Sequence, residues 1–212
     1  MNKFIQTFIN DSDELFSESN VESKTCRNFA LITALLALAS VCGFISFYLE
    51  PLYYGVLFIN LIYFISVGKN RINPAFLFLY IVLIINVSLV NIPPFFKPAQ
   101  RLILFMLVTL TTSSVLQSEL ALQFRRLLFK YVIFGLSILS IGSFFCFFLG
   151  INMMSRRNIG MTDFDVYSNN GGWFSGLTTH SMMLGPISMI ASLFFFVLYL
   201  QKQSKGYLIL FF

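Results

Sequence analysis

The sequence predicts an all-α, polytopic integral membrane protein with six transmembrane helices and the start of a seventh. Three observations carry that prediction. Hydrophobic residues make up 57% of the chain and charged residues only 11%, less than half of the roughly 25% that coats an average soluble domain. The mean hydropathy is +0.80. The apolar residues also fall in long continuous runs, which suit helices; strands of a closed β-barrel need apolar and polar residues by turns.

A helix rises about 1.5 Å per residue and the hydrocarbon layer is about 30 Å thick, so about 20 apolar residues make one crossing. Residues 1–28 read as a cytoplasmic tail, acidic through Asp11, Asp13, Glu14, Glu18 and Glu22. The run behind it, Phe29 to Leu49, is 21 residues without a charge. Its front is long and acidic, where a cleaved signal peptide has a short basic one, so this run is a retained anchor. Leu52 to Gly68 and Pro74 to Ile92 are the second and third spans. Leu102 to Leu116 is the fourth, short and rich in hydroxyls, with a possible continuation toward Leu122. Tyr131 to Leu149 and Met182 to Leu200 complete the six, and Tyr207 to Phe212 reads as the first turns of another. A crossing of six residues is too short to be stable, so the sequence is expected to be the N-terminal part of a longer protein.

Basic residues then set the orientation. Lys3, Lys24, Arg27, Lys69, Arg71, Arg125, Arg126, Lys130, Lys202 and Lys205 precede the first span or follow an even-numbered one; Lys97, Arg101, Arg156 and Arg157 lie on the other side. Ten against four places the N-terminus in the cytoplasm. The net charge of +5 is therefore a topology signal, spread between apolar runs, and forms no single patch for nucleic acid. Cys26, Cys42 and Cys146 show no CxxC spacing and imply neither a disulfide frame nor a metal site. Glu119 reads as a surface acid near Arg125 and Arg126; buried instead, it would point to proton-coupled transport. No internal repeat is evident, which weighs against a duplicated transporter.

With this topology the stretch 150–180 is exterior and is by far the longest loop. It holds Arg156 and Arg157, Asp163 and Asp165, and the chain's single Trp (Trp173) and single His (His180). Short connectors need no function, whereas a long polar one invites a search. Gly171 and Gly172 let the chain turn, and Gly176 permits a close backbone approach. Thr178, Thr179 and Ser181 are suited to capping the sixth helix, whose positive dipole end is a natural anion site at the depth of lipid phosphates. The same residues also serve as plain loop and cap chemistry. Arg156 and Arg157 fit a bidentate clamp on a diphosphate, or equally a solvated pair beside anionic headgroups. His180 titrates near neutrality, so it suits either a general base or an interfacial hydrogen-bonding group. Asp163 and Asp165 read as turn residues more readily than as metal ligands.

Gly171 to Pro186, GGWFSGLTTHSMMLGP, resembles the start of the segment shared by the O-antigen ligase and O-antigen polymerase family. There a loop reaches an [R]-F-S-G-x-x-x-[HN] pattern that opens the next membrane helix. Phe174, Ser175, Gly176 and His180 fit it, followed by Met183, Leu184 and Gly185; Trp173 stands where many members carry an arginine. The resemblance implies a glycosyltransferase of the bacterial inner membrane that acts in lipopolysaccharide or other surface polysaccharide biosynthesis. Such an enzyme moves a glycan from an undecaprenyl diphosphate carrier to an acceptor glycan hydroxyl, with no metal or other cofactor. It further implies diphosphate binding by Arg156, Arg157, Trp173, Gly176, Thr178 and Thr179, and a candidate catalytic role for His180. Members add a later exterior loop bearing arginine and histidine, which would lie past Phe212. The competing reading is a transporter or flippase subunit for a lipid-linked substrate, and a weaker one is a scaffold without chemistry.

Overall fold

A computed structural model describes residues 24–42, 49–67, 70–90, 96–151, 174–178 and 181–211, together with Thr7. Their elements run α1 (Lys24–Val41), α2 (Glu50–Val67), β1 (Arg71–Ile72), α3 (Pro74–Val90), α4 (Phe96–Thr112), β2 (Leu116–Gln117), α5 (Glu119–Phe148), α6 (Ser181–Lys202) and α7 (Lys205–Phe211). The protein is thus mostly helical. Among the described residues α1, α5 and, from Met182, α6 are long and apolar enough to cross a membrane; α2, α3 and α4 are apolar but shorter.

Local chemistry sets the ends. Asn73 caps α3, its Oδ1 accepting the Ala75 N–H at 3.0 Å, and Pro74 follows at the first helical position, where a missing N–H costs nothing. Ser118 caps α5 in the same way, accepting the Ala121 N–H at 3.2 Å. At the far end of α5, Gly150 turns left-handed at φ 71°. Its N–H then bonds the Phe147 carbonyl at 3.2 Å and the Ile151 N–H bonds Cys146 at 2.9 Å, a Schellman closure. Gln203, at φ 51°, ends α6 by the same left-handed step.

Several expected boundaries move. α1 starts at Lys24, inside the expected tail 1–28, and its described helix ends at Val41; residues 43–48 of the expected first span lie outside the described residues. The fourth helix is not Leu102–Leu116 but Phe96–Thr112. Its hydroxyls turn back on their own helix, Thr111 and Thr112 donating to the Leu107 and Val108 carbonyls at 2.9 and 2.8 Å. Leu116 belongs to a strand instead. The residues from Glu119 to Lys130 and nearly all of the expected fifth span are one helix of 30 residues, about 45 Å long.

The chain divides into two compact units, one of Val21–Thr33 and Pro51–Leu128, the other of Met1–Asn20, Ala34–Glu50 and Phe129–Phe212. In the first, the start of α1 meets the start of α5, Cys26 Sγ lying 3.8 Å from the Leu120 carbonyl. Asn70 Nδ2 donates to Phe64 near the end of α2 at 2.6 Å. β1 pairs antiparallel with β2, Arg71 opposite Gln117 and Ile72 opposite Leu116. Arg125 Nη1 donates to the Ser113 and Leu116 carbonyls at 2.7 and 2.8 Å, tying the α4–α5 turn together. Five helix termini therefore share one end of this unit. Farther in, Asn60 Nδ2 donates to Thr33 Oγ1 at 2.8 Å, both side chains fully buried, and Tyr80 and Thr109 share a hydroxyl pair at 2.7 Å.

The second unit packs the last turns of α1 and the rest of α5 with α6 and α7. Ile133, Phe194, Phe195, Leu198 and Tyr207 form one buried cluster, which folds α7 back onto α6. Cys42, Leu136, Leu139 and Ile187 form another. Gly135 lets Leu38 approach so closely that an added Cβ would lie 2.0 Å from Leu38 Cδ1.

Candidate functional site

Among the expected site residues, Gly176 and Thr178 are described; Arg156, Arg157, Trp173, Thr179 and His180 lie outside the described residues, as do Asp163 and Asp165. The segment Phe174–Thr178 is therefore the part of the candidate site with geometry, and that geometry is specific.

Ser175 to Thr178 form a tight turn closed by the Thr178 N–H bonding the Ser175 carbonyl at 3.0 Å. Gly176, second in the turn, sits at φ 53°, a conformation that disfavours side chains other than glycine's. Space demands glycine as well. A Cβ there would lie 2.5 Å from Ser143 Cβ and 3.0 Å from Ser143 Cα, backbone that cannot swing aside. The close approach expected of Gly176 is thus real, and its partner is α5.

The turn is fixed from both sides. Ser143 Oγ accepts the Leu177 N–H at 3.1 Å, and Leu177 covers Gly142. Thr178 bridges Cys42 in a single antiparallel backbone pair. Its hydroxyl donates to the Ser175 carbonyl at 2.8 Å. The Phe174 ring meets Phe147 edge-on at 5.6 Å. Ser175, Gly176 and Thr178 are all buried. Ser175 Oγ is buried with no hydrogen-bond partner among the described residues, an arrangement that costs about 1–3 kcal/mol.

Sequence reasoning missed Ser143 and Cys42. Both sit in apolar runs where a hydroxyl or thiol reads as filler, and only three-dimensional placement gives them a partner. One signal was present: serines at 137, 140 and 143 recur every three residues on α5, and Ser140 Oγ meets Ser188 Oγ of α6 at 3.1 Å. Among the described residues no three of His, Cys, Asp or Glu come together as a metal-binding group. Glu119 is exposed in the first turn of α5, where a carboxylate favours the helix dipole.

Fold and site together define an apolar helical protein with membrane-length helices and a buried turn against one of them. Compared with known proteins, the chain matches no family model, no curated protein and no solved structure.

Proposed function

We propose that the chain is a six-span inner-membrane protein, N-terminus in the cytoplasm, acting as an O-antigen ligase-like or polymerase-like glycosyltransferase on undecaprenyl diphosphate-linked glycans. Membrane placement is supported by the surface of α3, α5 and their neighbours. Phe78 and Leu89 on α3 are 70% and 74% exposed, and Phe144, Phe145, Phe147 and Phe148 on α5, with Leu149 just after it, are all at least 60% exposed. A soluble protein does not leave contiguous apolar surface of that extent in water. The alternating topology is supported by the first unit, where helix starts and ends gather at one end beside Lys24, Arg27, Arg71 and Arg125.

The observation that carries the enzymatic reading is the Phe174–Thr178 turn. Of the residues that resemble the family pattern, Phe174, Ser175 and Gly176 lie in a turn packed around Gly176 against α5, instead of a plain connector. In the proposed reaction an acceptor hydroxyl attacks the anomeric carbon of the carrier-linked sugar. The bond from that carbon to the diphosphate oxygen breaks, and the hydroxyl proton leaves to a base, a role suited to His180. Arg156 and Arg157 would neutralise the departing diphosphate. Replacing both arginines by Gln in cells that make the polysaccharide tests this: the long-chain ladder on a gel should disappear, and an unchanged ladder defeats the assignment.

The transporter or flippase reading keeps one observation in its favour. Pro186 interrupts the bonding of α6 two residues before Ser188, which meets Ser140 in the bundle, and such breaks line substrate paths in transporters. Movement of a lipid-linked glycan across proteoliposomes without glycan joining would select it.

A further inference from the structure

Seen from the Gly150 end of α5, the turn lies deep. Ser143, which receives the Leu177 N–H, is five residues before the last residue of α5, about 8 Å down the helix axis. Around and above that level α5 and the residue after it expose Phe144, Phe145, Phe147, Phe148 and Leu149, side chains that acyl chains solvate and water does not. A segment paired with Ser143 therefore sits at the level of hydrocarbon, although it was expected as part of an exterior loop.

Non-helical backbone survives at such depth only when protein buries it and its polar groups are satisfied. Ser175, Gly176 and Thr178 are buried, and the backbone bonds described for the turn close within the protein. The Leu177 N–H goes to Ser143 Oγ, the Thr178 N–H to the Ser175 carbonyl, and Thr178 pairs with Cys42. Glycine at 176 brings the turn against the α5 backbone, close enough that no lipid chain fits between them.

From these contacts we infer that Phe174–Thr178 is a re-entrant turn seated below the Gly150 end of α5, at the level of the acyl chains. A substrate carried on a polyprenyl lipid then meets it from within the bilayer and not from the water above. The inference rests on the proposed membrane placement and extends it from helices to a loop.

Trp173 supplies the test, because it is the chain's single tryptophan and directly precedes Phe174 in the sequence. The full chain is reconstituted in phosphatidylcholine–phosphatidylglycerol vesicles carrying lipids brominated at defined acyl positions. Trp173 should lose most of its emission to lipid brominated near the headgroup end of the chain and almost none to aqueous iodide. Quenching by iodide, or by neither agent, overturns the inference. Ser143→Val, which removes the acceptor of the Leu177 N–H and crowds Gly176, should move Trp173 from bromolipid to iodide quenching. An unchanged depth in that variant, with helical circular dichroism retained, overturns the seat on α5. A Trp173→Phe, Phe145→Trp variant separates the two layers of the argument. Bromolipid quenching at 145 with iodide quenching at 173 defeats the re-entrant turn alone, whereas iodide quenching at 145 defeats the membrane placement of α5 and the proposed function with it.

Discussion

The two units solve the same problem in different ways. In the proposed bilayer setting the surroundings are as apolar as the side chains, so burying leucine drives helices together only weakly, and close packing or polar bridges act instead. The unit of α2, α3 and α4 uses bridges: Asn60 to Thr33, Tyr80 to Thr109 and Arg125 to two carbonyls span between elements at ordinary packing distance. The unit of α5, α6 and the 174–178 turn uses missing side chains. Gly135, Gly142 and Gly176 each admit a neighbour into the volume where a Cβ would stand. Bridges tolerate changes of shape but not of chemistry; glycine contacts tolerate the reverse. That difference is open to direct test, with stability read by thermal unfolding of the purified protein in detergent.

The largest effect is expected at Gly176. Gly176→Val imposes a left-handed backbone on a β-branched residue and overlaps Ser143, together about 2–5 kcal/mol of destabilisation. A loss below 1 kcal/mol would show that the turn is not seated on α5. Next comes Arg125→Met, which keeps the length of the side chain but leaves the Ser113 and Leu116 carbonyls without their charged donor, for a loss of about 2–3 kcal/mol. Thr33→Val preserves shape and strands the Asn60 amide in an apolar interior at about 1–2 kcal/mol. Adding Asn60→Leu to it should recover much of that loss, since two apolar partners need no bond; further destabilisation by the second change would sink the bridge account. The smallest change has the opposite sign. Ser175→Ala removes a buried hydroxyl that has no partner among the described residues and should stabilise by about 1 kcal/mol. Stabilisation accompanied by loss of glycan joining would show that the hydroxyl is kept for a ligand.

Hydropathy located α2, α3 and α6 to within about two residues, because an apolar run bounded by a Pro, a Gly or a charge leaves little choice of ends. The helices α4 and α5 begin earlier than the expected apolar runs, and for α5 the reason is physical. Arg125, Arg126 and Lys130 look like the water-facing limit of a span, yet a helix does not stop at charges, and Arg125 has its own carbonyls to bond. The strand pairing of Leu116 is equally invisible, since a two-residue ladder has no periodicity to read. Within the candidate site the need for glycine at 176 was legible from the sequence, because few other residues serve a tight turn at close approach. Its partner Ser143 was not, being one of several serines in an apolar run.

The pairing of Cys42 with Thr178 joins parts of the chain made far apart in time. At about 5–20 residues per second, a ribosome needs roughly 7–27 s to travel from one to the other. Throughout that interval the end of the first helix has already been made while its eventual neighbour does not yet exist. Lipid or an insertion factor must shelter it meanwhile, so a stall in translation between the two positions would leave an early intermediate exposed to proteolysis at the Cys42 end.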